Sequence, residues 1–310
     1  MPEMQDQALR DRARGALLGL AVGDALGTTL EFRPKDSYEP LTTIVGGGPF
    51  RLKPGEWTDD TTMALALGTS LAEKGGLDER DLMERFCHWA EKGEYSHNGR
   101  CFDIGNTVRG ALDRFRRSGD PVAGSTDPQS AGNGSLMRLA PVAILHAFDP
   151  GALLDVARRQ SAVTHGAEEA MAACAAYAGL VAEAIRGVRK AELFTPRPGW
   201  TPEKVGRAMR METVGWNRKQ VRGSGYVIHN LEAALWAVGN AKDFPESVLL
   251  AANLGEDADT TAAIAGQLAG ALWGVSGIPD EWLDLLAWRD RITQLADRLH
   301  HRSLERTASP

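Results

Sequence analysis

Two acidic clusters carry the most chemistry in this sequence. Trp57-Thr58-Asp59-Asp60-Thr61 stands before one expected helix, and Gly255-Glu256-Asp257-Ala258-Asp259-Thr260-Thr261 before another. Each alone could be a helix cap, because Asp and Thr accept hydrogen bonds from the first turn and offset its partial positive charge. The second cluster, however, holds three carboxylates in four positions. Charges of one sign at that density repel unless a cation lies between them. Hard divalent cations such as Mg2+ or Mn2+ take oxygen ligands from carboxylates, hydroxyls and water. Two Asp/Thr clusters roughly 200 residues apart, both at helix starts, therefore suit a dinuclear site.

Three other stretches could bind or react. Ser130-Ala131-Gly132-Asn133-Gly134-Ser135-Leu136-Met137-Arg138 is a small-residue loop running into a helix expected near Ser135. Its glycines let backbone N–H groups approach an anion, and Arg138 could add charge. An ordinary loop has the same composition, and no Walker or Rossmann pattern accompanies it. Cys101-Phe102-Asp103-Ile104-Gly105-Asn106-Thr107 places Asp103 as the expected N-cap of a helix over 104–117. Thr164-His165-Gly166 sets an imidazole at an expected helix junction. With no H-E-x-x-H and no His-Asp pair, zincin proteases and His-Asp phosphohydrolases are disfavoured.

The elements that must position these residues are all helical. Apolar residues recur at helical spacing throughout, without convincing alternating strands. Helices are expected over 10–27, 61–74, 78–92, 104–117, 151–161, 166–187, 201–213, 228–240, 244–254, 259–274 and 280–302, with a long loop from Phe32 to Glu56. Residues 1–9 and 303–310 are expected to be frayed tails. Two helices carry small residues every fourth position: Gly15, Gly19, Gly23 and Gly27 on one, and Ala258, Ala262, Gly266, Gly270 and Gly274 on the other. Positions four apart share a face, and each interior glycine costs roughly 0.5–1 kcal/mol relative to alanine. Close backbone approach is the compensation expected. It would bring together the adjoining acids: Asp24 and Glu31 from one helix, Asp257 and Asp259 from the other.

The bulk composition bounds the class. The chain has 310 residues, 43% hydrophobic and 25% charged, with net charge −6, so one globular domain over 1–310 is feasible. A dominant basic nucleic-acid stripe is not expected. Three cysteines without a C-x-x-C pair give neither a disulfide framework nor a thiolate zinc site. The polar stretch Met1 to Arg14 is unlike a secretory signal, and the apolar run from Ala16 to Leu30, interrupted by Asp24, is too short to span a bilayer. A cytoplasmic monomer with no membrane span is expected.

Taken together and in order, the motifs identify a resemblance. The chain resembles the ADP-ribosylglycohydrolases, especially the bacterial dinitrogenase reductase-activating glycohydrolase group. The resemblance runs from Arg14–Gly27 through Trp57–Thr61, Gly99–Thr107, Ala131–Arg138, Thr164–Gly166, Gly225–Val227 and Leu231–Trp236 to Gly255–Thr261. It implies a single all-α domain, a multi-helix orthogonal bundle, with two divalent cations, Mn2+ or Mg2+. It implies Thr58, Asp59, Asp60, Asp257, Asp259 and Thr260 as metal ligands, with Asp103 facing the scissile linkage and Glu31 close by as ligand, gate or acid/base group. Asp103 and Glu31 are the candidate catalytic residues. Gly132, Asn133, Gly134 and Ser135 would cradle the diphosphate, His165 would contact the ribose or adenosine end, and Tyr226 would line the cleft near the distal ribose. Arg138, with its charge, is counted among the substrate-binding residues. Glu256 stands where the group often carries an aspartate.

The expected reaction is hydrolysis of ADP-ribose from a modified protein, with N-glycosidic ADP-ribosylarginine as the first choice. O-linked ADP-ribose, on serine or acetate, is the alternative, as is a non-catalytic ADP-ribose-binding protein. A terpenoid synthase would want Asp-Asp-x-x-Asp, and Asp59-Asp60-Thr61-Thr62-Met63 lacks the third acid.

Overall fold

The computed structural model describes residues 2–308, with side chains over 4–306. Fourteen α-helices follow one another among them: α1 (Pro2–Gly27), α2 (Asp59–Lys74), α3 (Glu79–Lys92), α4 (Asn106–Ser118), α5 (Ala140–Leu145), α6 (Pro150–Ala162) and α7 (Glu168–Ile185). The second half comprises α8 (Lys190–Leu193), α9 (Glu203–Met209), α10 (Val227–Asn240), α11 (Phe244–Ala252), α12 (Ala258–Trp273), α13 (Asp280–Leu285) and α14 (Arg289–Ala308). Only isolated β-bridges occur among the described residues, so the all-α expectation holds.

Local chemistry sets most boundaries. Asp78, Asp149 and Asp243 cap α3, α6 and α11 by accepting from Asp81, Ala152 and Glu246 backbone N–H groups. Gly75 and Gly93 end α2 and α3 in left-handed conformations that cost a glycine little. One hydrophobic cluster reaches from Ala13 on α1 to Leu299 on α14.

At its centre lie α1 and α12, and their contact is backbone against backbone. A β-carbon on Gly15, Gly19 or Gly23 would stand 2.1–2.3 Å from the carbonyl oxygen of Gly270, Gly266 or Ala262. Gly27 meets Ala258 in the same way, at 2.3 Å. No side chain fits at those distances, which is why the small-residue ridges exist. Both ridges face inward.

Several boundaries differ from expectation. The chain is already helical at Pro2 and still helical at Ala308, because α14 packs against α1 and gives both ends a partner; Met1, Ser309 and Pro310 lie outside the described residues. The expected helix over 280–302 is two helices, broken around Trp288, whose φ is 60°. No helix starts at Ser135: the segment passes through turns until α5 begins at Ala140. Asp103 is not a cap, because α4 begins at Asn106 with Gly105 before it. No described helix is long and apolar enough to cross a membrane.

Candidate active site

The starts of α2 and α12 meet beside the end of α1. Thr58 and Asp257 occupy the N-cap positions of α2 and α12, yet neither side chain caps its helix. The capping duty has passed to α1 and the turn after it. Asp24 accepts from the backbone N–H groups of Thr58 (2.8 Å) and Thr61 (3.0 Å), and Glu31 accepts from Ala258 N–H at 2.8 Å. The acids of both clusters are thereby freed for each other.

The result is a dense, buried group of carboxylates. Oxygens of Asp24, Asp60 and Asp259 lie within 4.8 Å of one another, and so do oxygens of Glu31, Asp257 and Asp259. The two triplets share Asp259. The Thr58 hydroxyl has a single proton, yet stands 2.9 Å from Asp24, 3.2 Å from Asp60 and 3.4 Å from Asp259. Asp60 Oδ1 is buried with no hydrogen-bond partner among the described residues. Too few protons serve too many acceptors, which is the donor deficit a hard cation fills.

Charge and burial act together on these groups. Burial, then the charges of Asp259 and Asp257, pushes Glu31 far above the usual carboxylate range. Burial and Asp259 raise Asp103 to about 9, and burial raises Asp259 to about 7. Asp59 and Asp60 are also driven well up, by burial first and by their acidic neighbours next. Asp24, raised by burial to about 6, is partly compensated by hydrogen bonds from Thr61 and Thr58. Its two oxygens accept four hydrogen bonds in all, so Asp24 is satisfied as an organiser of the α2 start.

A cleft of about 730 Å3 opens onto this group. Glu31, Asp59, Asp103, Asp257, Asp259 and Thr260 lie on its acidic side. Gly132, Asn133, Gly134 and His165 form another part of the wall. Asn133 joins the two halves, its Nδ2 donating to Asp257 Oδ2 at 2.7 Å. Phe32, Asp103 and Glu256 all line the cleft with φ between 59° and 60°. Non-glycine residues rarely adopt that conformation, and such strain gathers at functional sites. Backbone bonds hold two of the three: Phe32 N–H donates to Glu256 O, and Glu256 N–H to Arg33 O, each at 2.7 Å.

Other expected site residues lie elsewhere. Thr58 and Asp60 are buried behind the cleft surface, within reach of Asp259 but not on the wall. Arg138 does not supply charge to the cleft. It is fully buried, because its guanidinium stacks 4.6 Å over Phe86 and donates to Gln160 and Thr164. Ser135 is likewise buried, bonded to Ser161 at 2.7 Å. Tyr226 is held aside by Glu169 and Lys204, while its neighbours Ser224 and Gly225 reach the wall. Asp24 is the organiser that motif spacing did not single out as a site residue. Its signal was there: it is the one charge in the apolar run from Ala16 to Leu30.

The model of one protein family, "ADP-ribosylglycohydrolase", matches residues 5–308. The chain belongs to the ADP-ribosylglycohydrolase family. Among relatives of this glycohydrolase chain, "ADP-ribosylarginine hydrolase Tri1" of Pseudomonas putida (strain GB-1) is 49% identical, over 96% of this chain and 80% of that one. The protein of the same name from Serratia proteamaculans (strain 568) is 46% identical, over 95% and 80%. "ADP-ribosyl-[dinitrogen reductase] glycohydrolase" of Rhodospirillum rubrum is 36% identical, over 91% and 92%. A solved "ADP-ribosylglycohydrolase-related protein complex" superposes with a TM-score of 0.86 at 41% identity, covering 96% of this glycohydrolase and 99% of that chain.

Proposed function

We propose that this protein removes ADP-ribose from arginine side chains of modified proteins, with divalent cations held at the meeting point of α1, α2 and α12. The observation that carries the site is the pair of carboxylate triplets sharing Asp259, with Asp60 Oδ1 unpartnered among the described residues. The arginine linkage is favoured by the two relatives at 46–49% identity that carry the name ADP-ribosylarginine hydrolase.

The donor set fits two cations. Thr58, Asp59, Asp60, Asp257, Asp259 and Thr260 would hold them, with Asp259 common to both and Glu31 alongside. All are oxygen donors, which suits Mg2+ or Mn2+ and not a thiophilic metal. When bound, the cations would neutralise the carboxylates and polarise oxygens of the distal ribose and its attacking water.

The chain's own residues supply the rest. Cleavage of the glycosidic bond passes through an oxocarbenium-like state with positive charge on the ribose ring. The acidic wall stabilises that charge, as preorganised groups do without rearranging during the reaction. Asp103, facing the cleft from the loop before α4, exchanges a proton with the departing guanidine. Glu31, hydrogen-bonded to the start of α12, serves the water. Gly132, Asn133 and Gly134 receive the diphosphate, and His165 binds beside them.

The deciding experiment is ADP-ribose release in Mn2+ buffer from arginine-linked and serine-linked ADP-ribosyl proteins side by side. Release from arginine alone is expected. Release from serine alone would sink the arginine assignment, and none from either would sink the hydrolase. Asp259→Asn should abolish release while the helical circular dichroism is kept; full activity in that variant would remove the metal role.

A further inference from the structure

Arg138 is charged and fully buried, and it touches none of the cleft. Its partners explain it. Nη2 donates to Gln160 O at 2.7 Å and to Thr164 Oγ1 at 2.9 Å, and Nε donates to Gln160 Oε1 at 3.0 Å. A guanidinium carries only donors, so Thr164 must accept from it. The Thr164 hydroxyl still has its own proton. Among the described residues its one remaining polar neighbour is His165 Nδ1, at 2.9 Å.

The direction of that last bond is thereby fixed. Thr164 is fully buried. Were Nδ1 protonated, the hydroxyl would face two donors and leave its own proton without an acceptor, which is unfavourable in a buried place. Nδ1 is therefore the acceptor. Burial, then the charge of Arg138, lowers the His165 pKa to about 3, so the ring is neutral with one N–H. That N–H sits on Nε2.

Nε2 is the atom turned toward the small-residue loop. A β-carbon on Gly132 would lie 3.3 Å from it, and one on Gly134 would lie 3.1 Å from it and 2.8 Å from Cε1. Those two glycines leave room for the imidazole against the cleft. We propose that Arg138 and Thr164 are positioning residues that lock His165 as its Nε2–H tautomer, so that the wall between Gly132 and Gly134 offers a neutral hydrogen-bond donor to a diphosphate oxygen of ADP-ribose. The opposite tautomer would turn a lone pair toward that oxygen and repel it. The choice of ligand rests on the function proposed above; the tautomer does not.

The test uses the full-length protein with 15N-labelled histidine. Long-range 1H–15N correlation at neutral pH should show His165 protonated on Nε2. Thr164→Val should lose that preference and Thr164→Ser should restore it. Titration of ADP-ribose in Mg2+ buffer should bind about tenfold more weakly to Thr164→Val, the loss expected for one hydrogen bond, and within twofold of wild type to Thr164→Ser. An Nδ1–H tautomer in the wild-type protein, or an unchanged tautomer in Thr164→Val, overturns the relay. A correct tautomer with no ADP-ribose binding in any form overturns the ligand and leaves the relay standing.

Discussion

Gly19 and Gly266 lie back to back at the centre of the molecule, so close that a β-carbon on Gly19 would stand 2.3 Å from the Gly266 carbonyl oxygen and one on Gly266 2.1 Å from that of Gly19. This contact sets how near Asp24 comes to Asp259, since each acid lies along the same helix as its glycine. Gly266→Ala should therefore destabilise the protein by about 1–3 kcal/mol through overpacking, although alanine gains roughly 1 kcal/mol as a helix former. Urea unfolding measures it. A variant as stable as wild type would mean the helices can separate freely, and the ridge would not be what holds the acids together.

Asp60 tests the cation without reference to turnover. In chelator, Asp60→Asn removes one of several buried, mutually repelling carboxylates, so its melting temperature should equal or exceed that of wild type. Saturating Mn2+ should stabilise wild type, by about 2.7 kcal/mol at a hundredfold excess over Kd, and should do little for the variant. Equal Mn2+ stabilisation of both proteins counts against Asp60 as a ligand.

Asn133 makes a different prediction, because it touches the carboxylate cluster only through Asp257. Asn133→Ala should leave the fold intact and weaken Mn2+ binding about tenfold, the usual scale for losing a residue that orients a ligand. Calorimetric titration with Mn2+ reads this directly. Unchanged affinity would show that Asp257 holds its place unaided.

Asp297 gives a pH dependence far from the cleft. It accepts from Nε and Nη2 of both Arg10 and Arg14, at 2.6–2.7 Å, tying α14 to α1. Burial alone would raise its pKa, but the hydrogen bonds from Arg10 and Arg14 override it and hold the carboxyl far below the usual range. A carboxyl lowered in the folded state stabilises above its unfolded pKa, and that contribution fades as pH falls through the folded value. Solvent screening limits it to about 1 kcal/mol. Asp297→Asn should thus cost that much at pH 7 and progressively less below pH 4. A cost independent of pH between 7 and 2 would assign it to packing instead of charge.

The class of fold and the family were legible in the residues alone. Helical periodicity and the absence of alternation suffice for an all-α chain, because they report the face each segment buries. The small residues at every fourth position of α1 and α12 foretold a close contact, since nothing else offsets so many glycines. The acids at both helix starts were visible as excess charge. The same ridges foretold that Asp24 and Glu31 would meet Asp257 and Asp259, as they do; local pattern could not say what each acid does there. That Asp24 takes over the α2 start, freeing Thr58 and Asp60 to face Asp259, depends on the end of α1 lying level with the start of α12 and beside that of α2. That Asp103 stands in a left-handed turn instead of capping α4 depends on the loop before that helix. That Arg138 supports His165 from behind, and does not reach into the cleft, depends on the packing of Phe86 and Gln160 around it. Each is decided by distances between segments far apart in the chain, where burial and neighbouring charge, and not residue type, set what a side chain does.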